Sequence, residues 1–107
     1  MLMNSMRKID HLALDGQTLM TFLMVLEEAS VSRAADRLGV SQSAVSHTLD
    51  KLRKIFDDQL FVRVGRGIEP TARAIALGAP AESLLDGMNS LTVQQDFDPS
   101  VKEMEFT

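Results

Sequence analysis

Cysteine, tryptophan and tyrosine are absent from the 107-residue chain. Without cysteine there is no disulfide framework, no thiolate metal site and no thiol nucleophile, a pattern compatible with a reducing compartment. Aromatic residues are scarce at 5%, while 45% of the chain is apolar, so any core must be built from Leu, Ala, Val and Met. That composition suits a small helical domain. Also missing is any apolar run near the roughly 18 residues of a membrane span, and Met1 to Met6 lack the apolar stretch of a secretory signal. The expectation is a soluble cytoplasmic protein with one small domain and an appendage.

Positive charge is in short supply overall, with a net charge of −4. Its distribution is uneven. Between Ser30 and Arg73 there are eight basic and five acidic side chains, whereas the remainder carries three basic and ten acidic ones. A basic middle flanked by acidic ends permits a local anion-binding face and argues against indiscriminate electrostatic binding.

Hydrophobic spacing divides the chain into elements. Residues 1–14 form a polar, Met-rich lead-in. Asp15 can cap a helix in which Leu19, Phe22, Leu23, Leu26 and Ala29 recur at helical spacing, Met20 and Met24 fill the core, and Glu27 and Glu28 face out. Either Ser30 or Ser32 can cap a short helix over Arg33 to Leu38, whose Ala34 and Ala35 allow close approach of another helix. Gly39 ends it and Ser41 caps the next. From Gln42 to Phe56, Val45, Leu49, Leu52 and Phe56 share one face. Ser43, His47, Asp50 and Lys54 form the opposite face, flanked by Ser46 and Lys51, with Asp50 and Lys54 placed for an ion pair.

The period then changes to alternation. Leu60–Val64 and Ile68–Pro70 read as strands around Gly65-Arg66-Gly67, a hairpin with a cation at its tip. Beyond Pro70-Thr71, residues 71–92 read as a long helix. Ala74, Leu77, Ala81, Leu84, Met88 and Leu91 step by 3 and 4 as in a coiled-coil seam, which can meet a partner helix or pack back on the first helix. Gly78 and Pro80 depart from an ideal helix, and Pro80 is expected to bend or fray it. Residues 93–107 read as a linker followed by a strand at Val101–Thr107.

The fold expected is therefore mainly α: a winged helix-turn-helix of three helices and a small hairpin over 15–71, then a long C-terminal helix. The helix-turn-helix occupies about 31–50 and the wing about 60–70. Helix N-termini at Ser32 and Ser41 offer backbone N–H groups to phosphates. The third helix presents short hydrogen-bonding side chains that can approach base edges. No nucleophile–base pair, metal-ligand spacing or phosphate-cradling Gly loop is present, and Gly65-Arg66-Gly67 is too short for a P-loop. Neither an enzyme nor a cofactor is expected. Asp57-Asp58 reads as a turn rather than an acid/base pair, and His11 as a surface residue. The alternative is a helical protein-interaction module whose long helix binds a protein.

The run SVSRAADRLGVSQSAVSHTLDKLRKIFDDQLFVRVGRGIEPTARA resembles the DNA-binding domain of LysR-type transcriptional regulators. The match includes Ala34-Ala35, Leu38, Ser41-Gln42, Val45-Ser46, Leu52, Leu60-Phe61, Arg63 and Pro70-Thr71. It extends over about 15–91, and residues 52–74 resemble the branch containing leucine-operon and nodulation regulators. The resemblance implies Gln42, Ser43, Ser46 and His47 in the major groove of double-stranded DNA, with Arg63 on phosphate and Arg66 in the minor groove. Ser32, Arg33, Ser41 and Lys54 complete the expected contact set. Relatives often carry Pro at Ser43 and Arg at His47, so His47 would bring less charge. It further implies a homodimer through the long helix, a tetramer in a longer protein, and a small-molecule effector bound by a domain beyond this chain.

Overall fold

The computed structural model describes residues 13–96, so most of the expected lead-in, His11 and the expected strand at Val101–Thr107 lie outside the described residues. Helix α1 spans Gly16–Glu28, α2 Val31–Leu38 and α3 Gln42–Phe56. Strands β1 (Phe61–Val64) and β2 (Gly67–Pro70) follow, and α4 covers Ala72–Asp96.

Each helix begins at a side-chain cap. The Asp15 carboxylate accepts the Thr18 N–H at 2.8 Å, and the Thr18 hydroxyl accepts the Asp15 N–H at 3.0 Å, a reciprocal capping box. Ser30 caps α2 through the Arg33 N–H at 3.2 Å. Of the two serines allowed by the sequence, the earlier one is the cap, and the helix starts two residues before Arg33. Ser41 caps α3 through the Ala44 N–H at 3.1 Å. Gly39 closes α2 in the left-handed region, φ 71°, which glycine enters without a Cβ penalty.

The core of Leu19, Phe22, Val25, Ala34, Ala35, Val45, Leu49, Leu52, Leu60 and Phe61 lies where α1, α2 and α3 meet the base of the hairpin. Phe22 and Phe61 pack with ring centroids 5.7 Å apart. The buried stripe of α1 is rotated from the expected one. Val25, Thr18 and Thr21 are buried, whereas Met20 and Ala29 are exposed. Thr21 tolerates burial because its hydroxyl donates to the Gln17 carbonyl at 2.9 Å. Ala29 is the left-handed cap of α1, φ 53°, rather than a core residue.

The strands pair antiparallel with Phe61 opposite Pro70 and Val64 opposite Gly67, leaving Gly65-Arg66 as the turn. Just before β1, Leu60 is fully buried at φ 65°. A left-handed leucine costs about 1–2 kcal/mol, and burying its side chain returns about 1.5–3 kcal/mol. Burial is enough to hold it there.

Helix α4 runs on through Pro80 to Asp96, so residues expected in a linker belong to the helix. Ala76, whose carbonyl loses its partner to the proline, lies on an exposed face with Pro80. Water can bond to that carbonyl, and the break remains local. The first half of α4 lies against α1, and a Cβ at Gly78 would come within 3.2 Å of Leu26 Cδ2. Glycine there permits the close crossing.

Candidate nucleic-acid interface

The caps leave two helix N-termini on one side of the domain. In α2 the Ser30 hydroxyl takes the Arg33 N–H and the Ser30 carbonyl takes the Ala34 N–H. The N–H groups of Val31 and Ser32 precede the intrahelical ladder. In α3 Ser41 does the same for Ala44 and Val45, leaving Gln42 and Ser43 as the leading donors. Their dipoles add partial positive charge.

Between these ends and the wing lies an open groove of about 410 Å³. The cap residue Ser30, Ser32 and Arg33 of α2, Gln42 of α3, and Arg63, Arg66 and Ile68 of the wing help to line it, and no carboxylate does. Residues more than 30 apart in sequence, Arg33 and Arg66 among them, thus share one concavity. Ser41, Ser43, Ser46 and His47 are exposed on the adjoining outer face of α3. Arg63 and Arg66 are exposed and form no ion pair among the described residues.

Arg33 is not free. Its Nε lies 3.4 Å from Glu28, and its Nη2 donates to the Glu28 carbonyl at 3.3 Å. Arg37 donates to Glu28 at 2.6 Å and to Glu27 at 3.2 Å. Glu28, expected to face out, is half-buried and clamps both arginines. The Arg37 hydrogen bond holds its carboxyl below the ordinary range, with the charges of Arg37 and Arg33 adding to the effect.

Other residues stand apart. Lys54 is exposed but lies about 17 Å beyond Ser43 along α3 at 1.5 Å per residue, so it does not join the groove. Asp50 pairs with Arg53 at 2.9 Å rather than with Lys54. The third residue along brings a guanidinium that is also fixed to the Gln59 carbonyl at 2.8 Å.

The expected seam on α4 divides in two. Ala74 and Ala81 are 0% and 5% exposed and belong to the domain's own core, with Leu77 packed against it. At these positions the single chain itself covers the seam, as in the packing-back alternative. Leu84, Met88 and Leu91 are 54%, 46% and 68% exposed.

Three residues outside the expected set shape the site. Arg53 braces the start of β1, donating to the Gln59 carbonyl and, at 3.5 Å, to the Phe61 carbonyl. Asp58 accepts the Leu60 N–H at 2.8 Å and the Thr71 hydroxyl at 2.7 Å. Those bonds, the Thr71 one foremost, hold the Asp58 carboxyl below its ordinary range, and the charge of Arg73 contributes. Thr71 following Pro70 is a legible helix cap; the Asp58 link across 13 positions carries no local signal.

Residues 17–75 match the family described as bacterial regulatory helix-turn-helix protein, lysR family. The chain is 40% identical over 92 residues to the HTH-type transcriptional regulator LeuO of Escherichia coli strain K12, covering 86% of this chain and 29% of that protein. It is also 40% identical over 95 residues to the transcriptional activator NahR of Pseudomonas putida, covering 88% and 32%. The chain therefore spans about a third of the length of these relatives. Its fold superposes on the DNA-binding domain of CbnR in a DNA complex with a TM-score of 0.72, at 28% identity and 78% and 95% coverage. For the BenM domain bound to benA site 1 DNA the TM-score is 0.71, at 25% identity and 78% and 93% coverage. Sequence and fold agree over the same stretch: the chain belongs to the LysR family of bacterial regulatory helix-turn-helix proteins and carries the family's DNA-binding domain.

Proposed function

We propose that the domain reads an interrupted palindrome in double-stranded DNA as a homodimer. The first half of α3 enters the major groove, with Gln42, Ser43, Ser46 and His47 toward base edges. Gln42 suits adenine, which offers one acceptor and one donor to an amide. The N–H groups at the starts of α2 and α3 take phosphates, assisted by Ser32, Ser41 and Arg33. Arg63 holds backbone phosphate and Arg66 enters the adjoining minor groove.

The observation that carries this reading is the carboxylate-free groove in which α2, α3 and both wing arginines converge. The DNA complexes of similar domains support it and weigh against a helical protein-interaction module. Leu84, Met88 and Leu91 are the dimer contacts, joining two copies along the more exposed second half of α4. Like the transcriptional regulators to which it is similar, the protein acts in transcription; on this reading it is not an enzyme and works in the cytoplasm. No described helix is long and apolar enough to cross a membrane. Tetramer formation and effector binding belong to a longer protein.

Selection of bound sequences from a randomised DNA pool, followed by gel-shift titration, tests the reading. The wild-type chain should prefer the selected site, and Ser46→Glu should lose about 10–100-fold of that preference, as when one or two base contacts fail. Equal binding of selected and scrambled DNA by the wild-type chain would refute it.

A further inference from the structure

The two strands of the wing have four residues each, and from Val62 to Gly67 every side chain position is exposed. A two-stranded hairpin of that size has little stability of its own. The aim of Arg63 and Arg66 is therefore decided where the hairpin joins the body. Leu60 and Phe61 are buried there and Ile68 packs against the core, and a polar set lies beside them. Asp58 Oδ2 accepts from the Leu60 N–H at 2.8 Å and from the Thr71 hydroxyl at 2.7 Å. The Thr71 N–H donates to the Leu60 carbonyl at 2.8 Å. The Thr71 hydroxyl also accepts the Ala74 N–H at 3.1 Å and so caps α4. One carboxylate oxygen and one hydroxyl thus join the residue before β1, the residue after β2 and the first turn of α4. Between them Leu60 holds a left-handed conformation, which persists only when its surroundings over-determine it.

We propose that Asp58 and Thr71 are positioning residues that set the direction of the wing relative to α4, and through it the flanking DNA that the wing reads. Neither residue touches DNA. Because α4 also carries the exposed seam, the same latch ties wing direction to the geometry of the dimer. The inference rests on the assignment of α3 and the wing made under Proposed function.

The test uses the full chain in four forms: wild type, Thr71→Val, Thr71→Ser and Asp58→Asn. Thermal melting establishes that each is folded, and DNA selection at two salt concentrations gives base preference at the central positions, at the flanks, and the salt slope. Thr71→Val, which keeps shape but loses the hydroxyl, should retain the central preference of α3, lose flank preference by about tenfold, and lower the salt slope by about 1–2 as wing phosphate contacts are lost. Thr71→Ser should restore both. Should Thr71→Val not fold, Asp58→Asn is read against the same outcomes. Unchanged flank preference and slope in a folded variant, or loss of central and flank preference in equal measure, overturns the proposal. Absence of any preference in the wild-type chain instead overturns the assignment of α3 and the wing, and the proposal with it.

Discussion

Single side chains around the groove divide by what already holds them. Arg37 and Arg53 are committed to Glu28 and Asp50, and Arg33 is shared with Glu28. Arg63 and Arg66 have no such pairing among the described residues, so in the proposed complex they would meet phosphate without first breaking an internal ion pair. Arg66→Ala should lower the slope of log K against log salt by about 1, the release of roughly one counterion, with stability unchanged; a slope equal to wild type would place the tip off the DNA. Gly39 is the other sensitive position. Its φ is 71° and a Cβ there would meet nothing within 4 Å, so Gly39→Ala pays only the left-handed backbone penalty. A loss of about 1–2 kcal/mol in urea unfolding is expected.

At the level of elements, α4 does two jobs along its length. Its first half, through Ala74 and Ala81, completes the core laid down by α1 and α3. Its second half leaves Leu84, Met88 and Leu91 exposed. Substitutions in the two halves should therefore fail differently. Leu84→Asp with Leu91→Asp should convert a dimer into a folded monomer in sedimentation velocity, with helical circular dichroism retained. Ala74→Asp should instead lower the melting temperature sharply, since a carboxylate would enter an apolar core without a partner. If the double variant remains dimeric, the interface lies elsewhere.

For the whole molecule, an acidic chain can present an anion-binding face because its charges are sorted rather than because its total favours it. The net charge is −4, yet the groove is lined by arginines without a carboxylate. Several carboxylates instead act as internal fasteners. Asp15 is held low in pKa chiefly by the Thr18 N–H, Glu28 by Arg37, and Asp58 by Thr71. Their stabilisation is complete above the ordinary values of 3.8 for Asp and 4.5 for Glu and is lost as pH falls through the lower folded-state values. The melting temperature should therefore hold steady down to about pH 5 and fall below it, less steeply in Asp58→Asn. A melting temperature independent of pH between 5 and 3 would show that these bonds contribute nothing.

Much of this was written locally in the chain. Caps at Asp15 and Ser41, the stop at Gly39, the face of Val45, Leu49 and Leu52, and a turn at Gly65-Arg66-Gly67, whose last residue the structure places in β2, depend on neighbours within one or two turns. Tertiary structure decided the rest. It chose Ser30 over Ser32 as a cap, exchanged Lys54 for Arg53 beside Asp50, buried Val25 in place of Ala29, and turned Ala74 and Ala81 inward. It also brought Asp58 to Thr71 and Arg33 to Arg66. The physical reason is that periodicity states which residues share a face, whereas the identity of the surface covering that face depends on how the helices cross. Hydrogen bonds between distant segments form only once that crossing is set.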